Sequence, residues 1–143
     1  MNEAFSVYPI GTVRKRPENA SIEVFPEFHA ALLGLEGFSH VSVLYWFHKN
    51  DVSEKRKILQ VHPRGEASNP MTGVFATHSP VRPNLIAVSL CRVRSVETGI
   101  VQIDTIDAID GTPVLDIKCY IPPEVSLNDV RVPDWVHSRK EKE

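Results

Sequence analysis

Eleven prolines, spread from Pro9 to Pro133, cut this chain into short segments. Proline lacks a backbone donor and holds φ near −65°, so neither a long helix nor a long central strand runs through one. Between the cuts lie runs rich in Val, Ile, Phe, Tyr and Thr: Val7 to Val13, Ile22 to Phe25, His40 to Phe47, Leu85 to Val93, Ile100 to Ile106 and Val114 to Ile121. Short β-prone runs separated by turn signals predict an all-β fold, mainly β with one or two short helices, closed as a compact barrel or folded as a sandwich.

One segment breaks the pattern. In Pro26 to Leu35, the residues Phe28, Ala31, Leu32 and Leu35 recur at i, i+3, i+4 and i+7, the stripe of an amphipathic helix. Pro26 suits a first helical turn and Gly37 is placed to end it. A second short helix is expected between Val52 and Ile58, and His62 to Thr72 reads as a loop. At 143 residues the chain has the length of a single domain. We assign residues 1–131 to the barrel and 132–143 to a charged C-terminal tail, with Trp135 able to dock onto the body.

Composition excludes several classes. The start of the chain lacks a signal-peptide pattern, and no apolar run approaches the ~20 residues of a membrane span. Cys91 and Cys119 have no metal-ligand spacing and read as buried, reduced thiols of a cytoplasmic protein. No Walker loop, Gly-x-Gly-x-x-Gly fingerprint, Gly-x-Ser-x-Gly elbow, His-Glu-x-x-His or Cys-x-x-Cys occurs, so neither a nucleotide-binding parallel sheet nor a metal centre is expected. A net charge of −2 leaves any polyanionic partner to local basic patches such as Arg14-Lys15-Arg16, Lys55-Arg56-Lys57 and Arg92 with Arg94.

Two constellations stand out, Gly73 to Asn84 (GVFATHSPVRPN) and Asp110 to Lys118 (DGTPVLDIK). Each joins rigid Gly and Pro punctuation to charged or amide groups at the edge of a strand-like run, as in sites that need polar atoms held in place. Period-two alternation from Val114 to Ile121 sends Leu115, Ile117, Cys119 and Ile121 to a core face, and Asp116, Lys118 and Tyr120 to a polar one. Asp116 and Lys118 there form either a structural pair or part of a site. The run His40 to Phe47 is apolar on both faces, hence central, and releases His48 and Lys49 at its end. Asp104, Asp107 and Asp110 follow Ile103, Ile106 and Ile109, which reads as a strand entering a turn. There, carboxylates hold backbone amides or a ligand hydroxyl.

These segments, in order, resemble the TrmO/TsaA (YaeB-like) family. The resemblance runs from about Val7 to Pro122, through Ile10-Gly11-Thr12-Val13, Leu35-Glu36-Gly37-Phe38-Ser39-His40, Phe47-His48, Gly73 to Thr77, Ser79-Pro80, Arg82-Pro83-Asn84 and Asp110 to Lys118. It implies a β-barrel that forms a homodimer, uses S-adenosylmethionine, and methylates a tRNA adenosine beside the anticodon whose exocyclic nitrogen carries a threonylcarbamoyl group. Carried over by motif, the cofactor-binding positions are His48, Lys49, His78, Val88, Ile106, Asp107, Ala108 and Ile109, joined by Arg82 and Asn84. Ile106 and Ile109 are expected to flank adenine and Asp107 to accept from ribose or amine. Asp116 and Lys118 carry family motifs without an assigned role; because a carbamoylated amine is a poor nucleophile until its proton leaves, Asp116 or His48 is expected as a base, which makes Asp116, Lys118 and His48 the candidate catalytic positions. No metal and no membrane are implied.

The chain also departs from the family pattern. His78 stands where relatives carry Arg, Leu85 and Cys119 replace prolines, Ala87 replaces Gly, and Arg14 to Ser21 lacks a Pro-Arg-Gln element. Two further readings therefore stay open: a methyltransferase of the same fold with a small-molecule acceptor, and a non-catalytic cofactor-binding module. A basic stripe of Arg14, Lys15, Arg16 and Arg94 beside the pocket would favour tRNA.

Overall fold

The alternation of inward and outward residues closes on itself. In the computed structural model, which describes residues 3–137, six antiparallel strands form a closed barrel. The strands of the chain are β1 (Gly11–Arg16), β2 (Asn19–Val24), β3 (His40–Trp46), β4 (Gln60–Val61), β5 (Thr72–Gly73), β6 (Ile86–Glu97), β7 (Ile100–Ile103) and β8 (Pro113–Cys119). Around the barrel the order is β1-β2-β7-β6-β3-β8, with β8 returning to β1 through Gly11↔Val114 and Thr12↔Pro113. β4 and β5 make a separate two-stranded ribbon. Closure gives each barrel strand a neighbour on both sides, and β3 is flanked by β6 and β8, as its two apolar faces require.

The core is the set of inward β-branched residues. Val13, Ile22, Val41, Val43, Val101, Ile103 and Val114 are buried to 1% exposure or less. Each such side chain contributes roughly 1.5–3 kcal/mol on burial. Gly11 is required where β1 crosses β2, because a Cβ there would collide with the Glu23 carbonyl oxygen. Where β3 pairs with β8 the register slips between Leu44 and Tyr45: Leu44 faces Asp116, but Tyr45 faces Val114. Leu115 is the extra residue of this bulge. It lets Val114 point inward as well as Ile117, whereas strict alternation sets them on opposite faces and gives Leu115 to the core.

The helical stripe is corrected. Pro26–Leu32 is a 3-10 helix, not an α-helix, and only Leu32 in it is buried. Leu33 leaves helical geometry (φ −57°, ψ 122°), Gly34 turns left-handed (φ 89°), and a second 3-10 turn spans Leu35–Gly37. Phe28 and Leu35 still pack against the core, but Ala31 is exposed. The segment is too short to sustain α-helical propagation, so packing of its apolar residues decides its shape. The helix α1 (Ser53–Arg56) lies inside the expected Val52 to Ile58 segment. Cys91 is buried, whereas Cys119 is only partly so. Of the charged tail, residues 138–143 lie outside the described part. Asp134–His137 form a helical turn, α2, with Trp135 docked against Arg64.

Antiparallel pairing sets one end of the barrel apart. There β3 and β7 finish while β6 and β8 begin, so the β3–β6 and β7–β8 connections meet. This end gathers His48 and Lys49 after β3, Arg82 to Asn84 before β6, and Ile106 to Ile109 after β7.

Candidate active site at the barrel end

Two clamps shape this end. The first is Lys15, near the close of β1. Its Nζ donates to the carbonyl oxygens of Ile106 (2.7 Å) and Ala108 (3.1 Å), and its backbone N–H donates to Asp110 Oδ1 at 2.8 Å. The loop from Asp104 to Thr112 is thus tied to the β1–β2 hairpin. Ile106 and Ala108 turn into the core, while Asp107 and Ile109 stay outside. The expectation that the Ile106 side chain flanks adenine is therefore corrected: that side chain seals the core, and its carbonyl is taken by Lys15.

The second clamp organises Gly73 to Asn84. Val74 is buried and anchors a 3-10 turn, Val74–Ala76. Thr77 Oγ1 donates to the Val74 carbonyl (2.8 Å) and accepts from Ser79 N–H (3.1 Å). Arg82 Nη1 then donates to the carbonyls of Thr77 (3.2 Å) and Ser79 (3.1 Å), which leaves His78 exposed between two fixed neighbours. Arg56 of α1 extends the same scaffold. Its Nε donates to the Pro83 carbonyl (2.8 Å), Nη1 to Asp51 (3.3 Å) and Nη2 to Asn84 Oδ1 (3.5 Å), with the guanidinium 5.6 Å from the Trp46 ring centre. In this chain, Arg82 holds the turn that presents His78, and the Asn84 side chain accepts from Arg56.

Between these clamps opens a cleft of about 870 Å³. Its walls include His62, Arg64, Phe75, His78, Asp107 and Trp135. The size lies within the ~300–1,000 Å³ of small-molecule sites. Of the sequence-expected residues, His78 and Asp107 line it. Asp107 lies close enough to Tyr45 that, together with the larger effect of burial, it pushes that phenol's pKa up, while a hydrogen bond to Ser89 (2.9 Å) works against the shift. His48, partly exposed, and Lys49 sit on the short turn His48–Asn50 at the same barrel end but do not line the cleft.

Val88, Asp116 and Lys118 are elsewhere: on the barrel's outer wall, where Val88, Leu44 and Asp116 form one row across β6, β3 and β8. Asp116 Oδ1 accepts from the Ile117 N–H (2.9 Å), and Oδ2 lies 3.7 Å from Lys118 Nζ, both side chains being solvated. Such an exposed pair contributes little to stability.

The basic stripe expected from Arg14, Lys15, Arg16 and Arg94 is largely engaged within the protein. Arg14 pairs with Glu23 (3.2 Å), Arg16 with Asp110 (3.4 Å), and Lys15 is committed to carbonyls. Arg94 is exposed at a bulge between β6 and β7.

The aspartates of the loop divide the same way. Backbone donation from Lys15, with Arg16 and Arg14 nearby, holds Asp110 below the ordinary carboxylate range. Asp104 experiences a desolvation effect that raises its pKa, but donation from Thr105 (2.7 Å) and Arg92 (3.0 Å) N–H groups, with the Arg94 charge, brings it below that range. Both hold backbone amides, and Asp107 alone reaches the cleft.

Sequence reasoning missed Arg56, Arg64, Phe75 and the role of Lys15. A Trp46, Asp51, Arg56 spacing across one short connection was the available signal for Arg56. For Arg64 there was none, because its partner lies 71 residues away. Among the described residues, no group of three or more His, Cys, Asp or Glu could hold a metal ion, and no helix is long and apolar enough to cross a membrane.

Known proteins match this frame. The family model of the tRNA-methyltransferase O N-terminal domain matches residues 3–124. A Pyrococcus horikoshii protein named as a probable S-adenosyl-L-methionine-binding protein is 48% identical over 118 residues, 82% of this chain and 84% of that one. The human tRNA (adenine(37)-N6)-methyltransferase is 44% identical over 111 residues, 77% of this chain but 24% of that one. Crystal structures of TrmO from Pseudomonas aeruginosa superpose with TM-scores of 0.70 and 0.67 at 33% and 34% identity, over 93% and 90% of this chain. The chain spans 62% of each of those structures' chains. With a matched domain over most of its length and a shared barrel, the chain belongs to the TrmO family.

Proposed function

We propose that this protein is an S-adenosylmethionine-dependent tRNA methyltransferase that modifies the exocyclic nitrogen of a threonylcarbamoyl-bearing adenosine beside the anticodon. The observation that carries the reading is the cleft at the barrel end, where the family's Ala-Thr-x-Ser turn and the Asp107 loop meet. The residues present fit the cofactor. Asp107 is the one carboxylate among the lining residues and suits ribose hydroxyls or an ammonium group, and exposed His78 offers a polar contact beside the apolar Ala76 and Pro80. When bound, S-adenosylmethionine supplies an electrophilic methyl group. The chain's own task is to hold the acceptor in line with it and to remove a proton from the acceptor nitrogen.

Asp116 or His48 is the group we assign to that proton, with Lys118 poised to steady the Asp116 charge. Asp116 lies on the outer wall, so this assignment needs a second copy of the chain. The exposed apolar row Ile86, Val88 and Leu90 beside Leu44 supports a homodimer through this wall. Activity on tRNA would place the protein in the cytoplasm.

The test is transfer of labelled methyl from S-adenosylmethionine to tRNA lacking this methylation, with and without the threonylcarbamoyl group. Labelled methyl should appear on the modified adenosine alone. A double variant, Asp116→Asn with His48→Gln, that keeps wild-type turnover would remove the base assignment. The engagement of Arg14, Lys15 and Arg16 within the protein favours a second reading, a small nucleoside-like acceptor. Labelling of the free modified nucleoside as efficiently as the tRNA would select it.

A further inference from the structure

One wall of the cleft contains features that holding a cofactor does not require. Phe75 is 81% exposed, although its neighbour Val74 is buried and fixes the turn that carries it. Folding gains little from an aromatic ring left in water, and this ring lines the cleft. Trp135 reaches the same cleft from α2. The Arg64 guanidinium lies 5.3 Å from the Trp135 ring centre, and Arg64 Nη1 donates to the carbonyls of Trp135 (2.9 Å) and Val136 (3.3 Å).

Arg64 is also the one described non-glycine residue with a positive φ, 59°. A left-handed conformation is unfavourable for a residue with a Cβ, and such strain concentrates at functional sites. Here the residue in that conformation is the one whose guanidinium lies over the Trp135 ring. The cleft therefore presents two aromatic rings, one braced by a cation, beside a single carboxylate.

We propose that Phe75 and Trp135 form the stacking platform for the acceptor's purine base, extruded from its RNA strand, with Arg64 setting the ring's position. This rests on the reading of the protein as a nucleic-acid methyltransferase and names the subsite that reading requires. Flat aromatic faces backed by arginine bind bases through their π-faces, and enzymes acting on a base take it out of its stack. The cleft, at about 870 Å³, is near the upper end of single-ligand sites, leaving room for a base beside the cofactor.

The experiment measures binding of the full chain to an RNA hairpin with an adenosine next to its anticodon, alongside S-adenosylmethionine binding by calorimetry. Ultraviolet crosslinking with peptide mapping reports the contact directly. Trp135→Ala and Phe75→Ala should each weaken hairpin binding about tenfold, while Trp135→Phe retains most of it. S-adenosylmethionine affinity should stay within about twofold of wild type in both, and crosslinks should fall on the peptides carrying Phe75 or Trp135. Unchanged hairpin affinity in both alanine variants, crosslinks confined to other surfaces, or no hairpin binding by the wild type would each overturn the platform. Hairpin binding through these rings with no S-adenosylmethionine binding would keep the platform and remove the methyltransferase reading.

Discussion

Lys15 Nζ lies 2.7 Å from the carbonyl oxygen of Ile106 and 3.1 Å from that of Ala108. One flexible side chain thus fixes both ends of the tripeptide at whose centre Asp107 projects into the cleft. The relationship explains how a loop with no regular structure can present a carboxylate in a defined place. A charge-assisted donor to two carbonyls replaces the strand ladder that ends at Ile103.

Replacing Lys15 with Met removes both bonds while keeping the aliphatic stem. Hydrogen bonds to charged groups are worth about 1.5–3 kcal/mol when buried, and these are part-buried. We expect a loss of about 1–2 kcal/mol by denaturant unfolding. S-adenosylmethionine binding should weaken as well, with partial recovery in Lys15→Arg. Wild-type stability and affinity in Lys15→Met would show that the loop holds its shape without the clamp.

Arg82 acts similarly on the opposite strand connection. Both of its bonds leave from Nη1, an atom farther from the backbone than a lysine ammonium reaches, so lysine in its place holds the Thr77 and Ser79 carbonyls less well. Arg82→Lys should therefore weaken S-adenosylmethionine binding severalfold while thermal unfolding moves by only a few degrees. A large fall in thermal stability with unchanged affinity would assign Arg82 to the fold alone.

Much of this scaffold was legible in the residues themselves. Proline spacing and β-branched runs gave the strands, and the apolar flanks of His40 to Phe47 gave β3 its central place. Three features were hidden for physical reasons. The bulge at Leu115 depends on pairing with β3, so alternation within one strand could not reveal it. The stripe from Phe28 to Leu35 has helical spacing, yet Gly34 and the shortness of the segment let packing impose two 3-10 turns. Within the site, His78 and Asp107 were legible from motif resemblance. The docking of Trp135 was expected, but its partner Arg64 was not legible, because their contact joins residues 71 apart in the chain.

Acid should destabilise the protein through Asp104 and Asp110. Both carboxylates titrate below their ordinary value in the folded state. A depressed folded pKa means stability that is complete above the unfolded value, about 3.9, and is lost as pH falls through the folded one. The variants Asp104→Asn and Asp110→Asn should be less stable than wild type at pH 6, with the difference shrinking below about pH 4. A gap that stays constant to pH 2 would contradict the linkage.

Cys91 should be inert. Burial, with the Asp104 charge adding to it, raises its thiol pKa to about 11. A raised folded pKa gives stability present below the unfolded value near 8.5, and lost as pH rises toward the folded one. At pH 8, iodoacetamide should modify Cys119 before Cys91, and Cys91 should react only on unfolding. Rapid alkylation of Cys91 in the native protein would show that the barrel interior is open.

The most direct measurement is a calorimetric titration of the wild-type protein and Asp107→Asn with S-adenosylmethionine, recording stoichiometry per chain. The account predicts saturable binding by the wild type and affinity at least tenfold weaker in Asp107→Asn, with the fold unchanged by circular dichroism. No saturable heat from the folded wild type, or equal affinity in the two proteins, would contradict the placement of the cofactor in this cleft.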